Sequence, residues 1–395
     1  QQPAAAPADT ARPPAQAPPA GALGPVQVKL LMEVDYAHDT DPRAQFPPYP
    51  SEGLGARRMR VFLQGAGPAG LGYRLHFDPS QLAVGAQGAS PFRGAPLVEA
   101  YLDYALPRDV TIRVGQQRVL FGLNSTTGAP SLPTPEFAQF ARSLQQRVSA
   151  FRDIGVTVQG RLGALEYSGG VFNGAGINVV ADNDSTRDYA GRFTWAIVPG
   201  LQVGASAWAG HSPRPYVRPG ETRPVAPFFD NADFRRWGID TRWARGPLLL
   251  TAEYARNHAD YDSAAVTRTP GRAPLRQAGY NALAAFRLGA LNPALRGPEV
   301  GGRYDAWDPN GAAADDEVTE YVGGMNFYFV EIGMPPDARL GRALNYVQRE
   351  SRFMLFLEHS RYANAGTRPA PTPAAPNPAT VQNNTRVHAR WSLFY

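Results

Sequence analysis

The chain has 395 residues, enough for two or three soluble domains or for one large closed β-structure. Charged residues make up only 18%, and the 40 glycines and 38 prolines favour many strands joined by many turns. The absence of cysteine excludes disulfides, thiolate metal sites and thiol nucleophiles, while the net charge of +5 rests on arginine, since Lys29 is the only lysine.

The first 25 residues are mainly proline and alanine. Since almost none of their side chains could form a core, residues 1–25 predict a disordered tail, which we expect to lie in the periplasm. The chain begins without the basic and apolar segments of an export signal, so we expect such a signal to have been removed.

From residue 26 onward the apolar residues recur with a period of two, as where Val28, Leu30 and Met32 alternate with Lys29 and Glu33. No run approaches the roughly 18 to 20 apolar residues of a membrane helix, which excludes a helical membrane protein. A transmembrane barrel remains open because its strands hide their hydrophobicity in alternation.

This periodicity predicts sixteen strands, an even number of segments long enough to cross a bilayer when tilted. They are placed at 27–38, 56–65, 70–78, 96–106, 109–118, 152–162, 164–173, 187–198, 201–210, 234–245, 247–258, 276–289, 298–308, 317–329, 350–361 and 384–395.

The connections alternate between short turns and long polar loops, as in outer-membrane barrels with periplasmic turns and extracellular loops. The tight turns lie at 65–68, 106–109, 162–164, 198–200 and 245–247. The loops lie at 39–55, 79–95, 119–151, 174–186, 211–233, 259–275, 309–316 and 362–383. The connection at 330–349 is too long for a periplasmic turn, and the alternation does not explain it.

One or two soluble β-sandwiches would also have short strands and turns of glycine and proline. Aromatic residues near the strand ends favour the barrel, where they would form interfacial girdles. These residues are Tyr36, Tyr104, Trp195, Trp208, Trp237, Trp243, Tyr254, Trp307 and Trp391.

Several segments, taken together, resemble the phosphate-selective porin (porin O and P) family of Gram-negative outer membranes. They are Arg57-Arg58-Met59-Arg60-Val61, the segments 72–78 and 114–122, Arg152-Asp153-Ile154-Gly155-Val156, and Gly170-Val171-Phe172-Asn173-Gly174. The resemblance covers residues 56–395, and the chain departs from the family pattern at Arg118, Leu120 and Asn124.

The resemblance implies a sixteen-stranded antiparallel transmembrane β-barrel over residues 26–395, in the outer membrane and usually a homotrimer. It also implies that the third loop, 119–151, folds inward to narrow the pore, where arginines attract anions. In that loop, prolines limit the conformations and Phe137, Phe140 and Phe151 could anchor it to the inner wall. An ordinary exposed loop is the alternative.

Strand parity places apolar side chains against lipid and polar ones in the lumen. Acids share the inner face with the arginines, so pairing across strands is the alternative to anion binding for any one arginine. The anion-binding interpretation is stronger for two apparently acid-free clusters, Arg57, Arg58 and Arg60, and Arg142, Arg147 and Arg152. The remaining candidate pore-lining residues are Arg113, Arg118, Arg236, Arg242 and Arg390.

The sequence predicts a passive diffusion channel for small solutes with a mild preference for anions, possible phosphate cargo, and no cofactor. Its expected surroundings are the bilayer and lipopolysaccharide, with no nucleic acid partner because acids interrupt every basic stripe.

One rival function is that of a structural barrel whose tail binds a periplasmic or cell-wall partner. Another is a barrel hydrolase, although no metal-spaced histidines or nucleophile elbow occur. The acidic residues at 182–188 suggest either a calcium-binding site in an outer loop or an ordinary loop whose acids are solvated by water.

Overall fold

A computed structural model describes residues 24–40, 52–82, 96–147, 151–179, 186–212, 232–261, 274–292, 298–312, 316–330, 351–362 and 383–394. Within these residues there are sixteen strands. They are β1 Gln27–Asp39, β2 Glu52–Ala66, β3 Leu71–Phe77, β4 Leu97–Leu106, β5 Val110–Arg118, β6 Arg152–Leu162, β7 Leu165–Phe172, β8 Asp188–Val198, β9 Leu201–Ser212, β10 Ala232–Arg245, β11 Leu248–Tyr261, β12 Leu275–Arg287, β13 Pro298–Asp308, β14 Val318–Val330, β15 Ser351–Tyr362 and β16 Asn383–Phe394.

The strands form one closed barrel in which each strand pairs with its neighbours in chain order. The barrel closes where β1 runs antiparallel to β16, from Leu31 opposite Phe394 to Asp39 opposite Arg386. The predicted sixteen-stranded antiparallel barrel is therefore confirmed. β2 begins four residues earlier than predicted because residues 35–38 of β1 pair with 52–55, a glycine-rich segment of weak strand propensity.

The short connections all lie at one end of the barrel, where they join β2 to β3, β4 to β5, β6 to β7, β8 to β9 and β10 to β11. Gly200 shows why such a turn needs glycine: its φ is +87°, and a Cβ atom would lie 2.2 Å from the carbonyl oxygen of Ala244. The connection between β12 and β13 is longer, and the one at 331–350 lies outside the described residues.

The wall has an apolar outer face and a polar inner face. On β1, Leu30, Met32 and Tyr36 are exposed outward, whereas Glu33 and Asp35 are buried inside. Of the aromatic residues predicted for the girdles, Tyr36, Tyr104, Trp195, Trp237 and Trp391 are exposed on the outside.

The prediction was wrong for two tryptophans, Trp208 and Trp307, which are buried inside the barrel. On β9 the inward positions are those of Gln202 and Ser206, and Trp208 continues the same parity. Its indole N–H donates to a carboxylate oxygen of Asp188 at 2.9 Å, which satisfies the polar atom of a buried tryptophan.

Two helices occur within the connection between β5 and β6: α1, Gly122–Thr126, and α2, Gln139–Arg147. Hydrogen bonds join this connection to inward side chains of β9, β11 and β13 to β16. Residues 119–147 therefore lie inside the barrel. Among the described residues, no helix has the length and apolar character needed to cross a membrane.

Because the outer face of the wall is apolar, a charged substitution there should lower the free energy of unfolding by an amount that depends on its depth in the membrane. Ile239 is exposed outward near the middle of β10, so Ile239→Arg should destabilise the barrel by about 2 to 4 kcal/mol because lipid cannot solvate the guanidinium. Denaturant unfolding in lipid vesicles measures this free energy.

Val28→Arg is the control for this measurement, because Val28 is exposed near the start of β1. The free energy of unfolding should fall by only about 0 to 1 kcal/mol there, since the arginine side chain reaches the membrane interface. Equal costs at the two positions would contradict the assignment of the outer face to lipid.

Candidate functional site

The third loop, which connects β5 to β6, enters the lumen through Gly122, at the start of α1. Gly122 has a φ of +73°, and a Cβ atom there would lie 1.9 Å from a carboxylate oxygen of Glu253, so the site requires glycine. The N–H of Gly122 donates to the hydroxyl of Ser206 at 3.0 Å. The backbone and side-chain N–H groups of Asn124 both donate to Glu253 at 2.7 Å. These bonds fix α1 against β9 and β11.

An apolar cluster holds both ends of this connection against the inner wall. Phe121, Phe140 and Phe151 are buried together with Trp208 of β9 and Phe234 of β10. The ring centroids of Phe151 and Trp208 are 5.7 Å apart, as are those of Trp208 and Phe234, within the range of favourable aromatic pairs. The connection is thus attached to the wall by packing as well as by hydrogen bonds.

Residues 132–136 lie along β13 to β16. Proline at 133 and 135 fixes φ and removes two N–H donors, and the wall supplies donors to the oxygen atoms of this segment. Arg352 donates to the carbonyl of Leu132 at 2.5 Å, and Asn326 donates to the carbonyl of Pro133 at 2.8 Å. The segment is therefore bonded to the barrel by inward side chains of the wall strands.

Glu136, the only acid in the 119–151 loop, lies among three arginines of the barrel. Arg57 donates to its carboxylate at 3.2 Å and Arg390 at 2.5 Å, while a guanidinium nitrogen of Arg58 lies 3.4 Å away. Burial raises the pKa of Glu136, but the positive charges of these arginines outweigh it and hold the pKa well below its usual range. The carboxylate therefore stays ionised at neutral and mildly acidic pH.

The predicted cluster of Arg57, Arg58 and Arg60 is not free of acids. Glu136 contacts Arg57 and Arg58, and Arg58 also binds Glu33 across the β1–β2 pair. Arg60 donates to a carboxylate oxygen of Asp78 at 3.0 Å. The local sequence does not contain the contact with Glu136, because this residue reaches Arg57 from 79 residues away.

The second predicted cluster, Arg142, Arg147 and Arg152, also includes acid partners. Arg142 of α2 donates to Glu320 of β14, and a second nitrogen lies 3.6 Å from Glu358 of β15. Arg152 of β6 donates twice to Glu99, at 3.0 and 3.1 Å. The side chain of Arg147 lies outside the described residues.

Five arginines of β2, β3, β5 and β6 surround three carboxylates on one part of the inner wall. We call this group the basic face: Arg60, Arg74, Arg113, Arg118 and Arg152. Glu99 lies 3.6 Å from Arg74, 3.9 Å from Arg118 and 3.0 Å from Arg152. Asp78 pairs with Arg60, and Asp103 pairs with Arg113 at 2.7 Å. Guanidinium groups outnumber these carboxylates by five to three.

Within most of these pairs the arginine is more exposed to the lumen than the acid. The side chain of Arg74 is 29% exposed, against 8% for Glu99, and that of Arg57 is 15% exposed, against 1% for Glu136. Arg60 and Asp78 show the same order, at 12% and 3%. In two other pairs of the basic face the acid is the more exposed partner, at 27% for Asp103 against 14% for Arg113 and, narrowly, at 8% for Glu99 against 7% for Arg152. A solute in the lumen therefore meets guanidinium groups in front of carboxylates.

The opposite wall carries a continuous network of buried ion pairs. Arg303 binds Asp305 and also Glu320, which binds Arg142 of α2. Glu320 and Glu358 were not among the predicted site residues, although both are buried and have the inward parity of predicted strands. The alternation of inward and outward residues along β14 and β15 could have identified both acids as inward-facing. It could not have shown that they bind Arg142 of α2.

Three more candidate arginines are buried on the inner face. Arg390 binds Asp35 across the closing β1–β16 pair. The side chain of Arg236 donates to Asn257 at 2.8 Å and lies over the rings of Trp208 and Phe234. Arg242 is buried with the same parity on β10. Their burial indicates that they hold the wall together more than they meet solutes.

The described part of the chain contains no group of three or more histidine and acidic residues that could hold a metal ion. Asp188 from the 182–188 segment is buried and accepts hydrogen bonds from Trp208 and from the N–H of His211. The acids at 182 and 184 lie outside the described residues, so calcium binding stays untested.

Solved structures with similar folds include an anion-selective porin and an outer-membrane protein. The anion-selective porin from Comamonas acidovorans aligns with a TM-score of 0.60 and 13% identity, over 94% of this chain and 99% of its own. Outer-membrane expressed OmpT of Vibrio cholerae aligns with a TM-score of 0.54 and 12% identity, over 93% and 97%. At this identity the likeness shows the fold. No curated protein matches the sequence.

The family comparison covers most of the barrel. The pattern of the family described as phosphate-selective porin O and P matches residues 26–353. This range extends from the start of β1 to the beginning of β15 and includes the third loop with both of its helices. The chain therefore belongs to the phosphate-selective porin O and P family and is an outer-membrane porin.

Proposed function

We propose that the barrel is a passive channel for small hydrophilic solutes with a mild preference for anions, phosphate among them. The observation that carries this proposal is the greater lumen exposure of arginine over acid in the pairs of Arg57, Arg60 and Arg74. Residues 119–147 narrow the lumen in this proposal, and the basic face lines the remaining path.

The physical basis of the preference is the field of the exposed guanidinium groups. Low-dielectric walls focus that field and raise the local concentration of anions. Guanidinium groups also bind phosphate or carboxylate oxygens in pairs of hydrogen bonds. Because buried carboxylates neutralise much of the charge, binding stays weak enough for an anion to leave, which keeps the channel conducting.

The orientation of the barrel in the outer membrane follows from its connections. The short turns face the periplasm, and Gly24 lies at the same end because its N–H donates to the carbonyl of Ala66 beside the β2–β3 turn. This supports a periplasmic location for the tail, although residues 1–23 lie outside the described residues. We also propose a homotrimer, as the family resemblance implies. One similar solved structure is described as a trimer form.

The proposal excludes catalysis as the main role, and porin family membership supports it. The rival hydrolase would need a serine, a histidine and a carboxylate in contact on one wall, and it would turn over ester or phospholipid. The rival structural barrel, with its tail bound to a periplasmic partner, would show no steady open channel in a planar bilayer.

The first test removes exposed charge from the basic face. The double substitution Arg74→Gln with Arg118→Gln should lower the permeability ratio of chloride to potassium by about two- to threefold, because fewer positive charges attract anions. The reversal potential under a potassium chloride gradient measures this ratio.

Arg361→Gln is the matched control for this measurement, since Arg361 is exposed on the outer surface of β15. This variant should keep the parent ratio. An unchanged ratio in the double variant, or a parent channel that does not favour chloride, would remove the basis of the proposal.

The second test removes the acid of the third loop. Glu136→Gln deletes one negative charge among Arg57, Arg58 and Arg390, so chloride selectivity should rise by about twofold. Because folding lowers the pKa of Glu136, its ion pairs contribute stability at neutral pH that is lost only as pH falls through the lowered value. The variant should therefore also be less stable to denaturant at pH 7.

Glu52→Gln provides the comparison, because Glu52 is an exposed acid that contacts His38 outside the lumen. It should change neither the reversal potential nor the stability measurably. A drop in chloride selectivity of the Glu136→Gln variant would show that Glu136 does not counteract the arginines of the permeation path.

A further inference from the structure

The outer surface of β10, β11 and β12 carries a depression of about 320 Å³ that the channel function does not use. Its lining residues are Arg235, Trp237, Arg256, His258 and Arg276. All five have the outward parity of their strands, so they face away from the lumen. Three guanidinium groups on the outside of a membrane barrel need a ligand other than acyl chains, because lipid does not solvate charge.

The strand register brings these residues into two adjacent rows. Arg235 of β10 lies opposite His258 of β11, which lies opposite Arg276 of β12. In the next row toward the barrel centre, Trp237 lies opposite Arg256. Directly opposite residues have Cβ atoms about 5 Å apart, so the cations form one compact group across three strands.

The nearby acids on this face contact residues other than the three arginines, although Asp260 binds the lining residue His258. Asp260 binds His258 at 2.9 Å, and Asp233 binds His211 at 2.8 Å. Asp308 on β13 accepts a hydrogen bond from the N–H of Asn310 at 2.9 Å. Within the described residues, no ion pair or hydrogen bond joins the side chains of Arg235, Arg256 or Arg276 to an acid. The group therefore presents positive charge outward.

The depth of the group in the membrane follows from the aromatic residues beside it. Trp237 and Tyr254 contact each other with ring centroids 5.4 Å apart, and Tyr280 lies opposite Tyr254 on β12. Such aromatic residues mark the membrane interface. Arg256 lies two residues beyond Tyr254, about 7 Å further along the strand, on the side away from the short periplasmic turns. The cations therefore lie at the level of the outer-leaflet head groups.

The geometry points to this depression as a binding site for the phosphorylated sugar head group of lipopolysaccharide. Guanidinium groups bind phosphate oxygens in pairs, and Trp237 offers an amphipathic ring at the boundary between sugar and acyl chains. The volume suits a small polar head group. Because the site faces outward at head-group depth, its ligand is membrane-anchored phosphate and not an anion passing through the lumen.

The test compares the parent protein with a triple variant, Arg235→Gln, Arg256→Gln and Arg276→Gln. Binding of bisphosphorylated lipid A to the detergent-solubilised, folded barrel is measured, with dephosphorylated lipid A as the second probe. The triple variant should lose about ten- to hundredfold in affinity for the bisphosphorylated form, since each arginine near a membrane surface contributes electrostatic attraction to anionic lipid. Dephosphorylated lipid A should bind both proteins equally weakly, and millimolar inorganic phosphate should not displace lipid A from the parent.

Arg361→Gln serves again as control, because it removes one outward arginine at the extracellular end of a distant strand. This control should keep the parent affinity for lipid A. The triple variant should keep the parent conductance and reversal potential, which verifies its folding and separates this proposal from the channel function.

Unchanged lipid A affinity in the triple variant would overturn the proposal, as would equal binding of the two lipid forms by the parent. Displacement of lipid A by inorganic phosphate would assign the site to free anions. Loss of a trimer with unchanged lipid affinity would instead make this face a contact between subunits.

Discussion

The constraint on which this molecule depends is that a backbone inside lipid must pair all its polar groups internally. Sixteen strands satisfy it only because β1 pairs with β16 and leaves no open edge. Closure then divides every strand into an outer and an inner face. Apolar side chains take the outside, so the charged side chains are concentrated in a narrow interior, where the channel chemistry is located.

Inside the barrel, charge serves two purposes in different places. On β13 to β15 and at the closing seam, arginines and acids are buried in mutual contact, and this network holds the loop as well as the wall. On the basic face, arginines outnumber acids by five to three and most are more exposed than their acid partners, so this face presents positive charge to water. Glu136 of the third loop binds arginines of both β2 and β16.

The fold was largely predictable because a period-two pattern and alternating turn lengths are local properties of the chain. The exceptions depend on contacts between distant segments, which a local sequence pattern does not contain. Trp208 and Trp307 carry apolar side chains at inward positions, where they pack against the loop instead of lipid. The segment 52–55 has weak strand propensity and becomes a strand only because β1 supplies hydrogen-bond partners.

The number of strands, the inner or outer face of most strand residues and the end of the barrel that carries the long loops follow from local sequence patterns, since parity and turn chemistry act between neighbouring residues. Which charges meet depends on the packing of the folded chain. Glu136 approaches Arg390 from 254 residues away, and Arg235, Arg256 and Arg276 form one group only through the register of three strands. Pairing at such separations depends on how the closed wall and the inward loop pack together, and that packing is set by contacts across the whole chain.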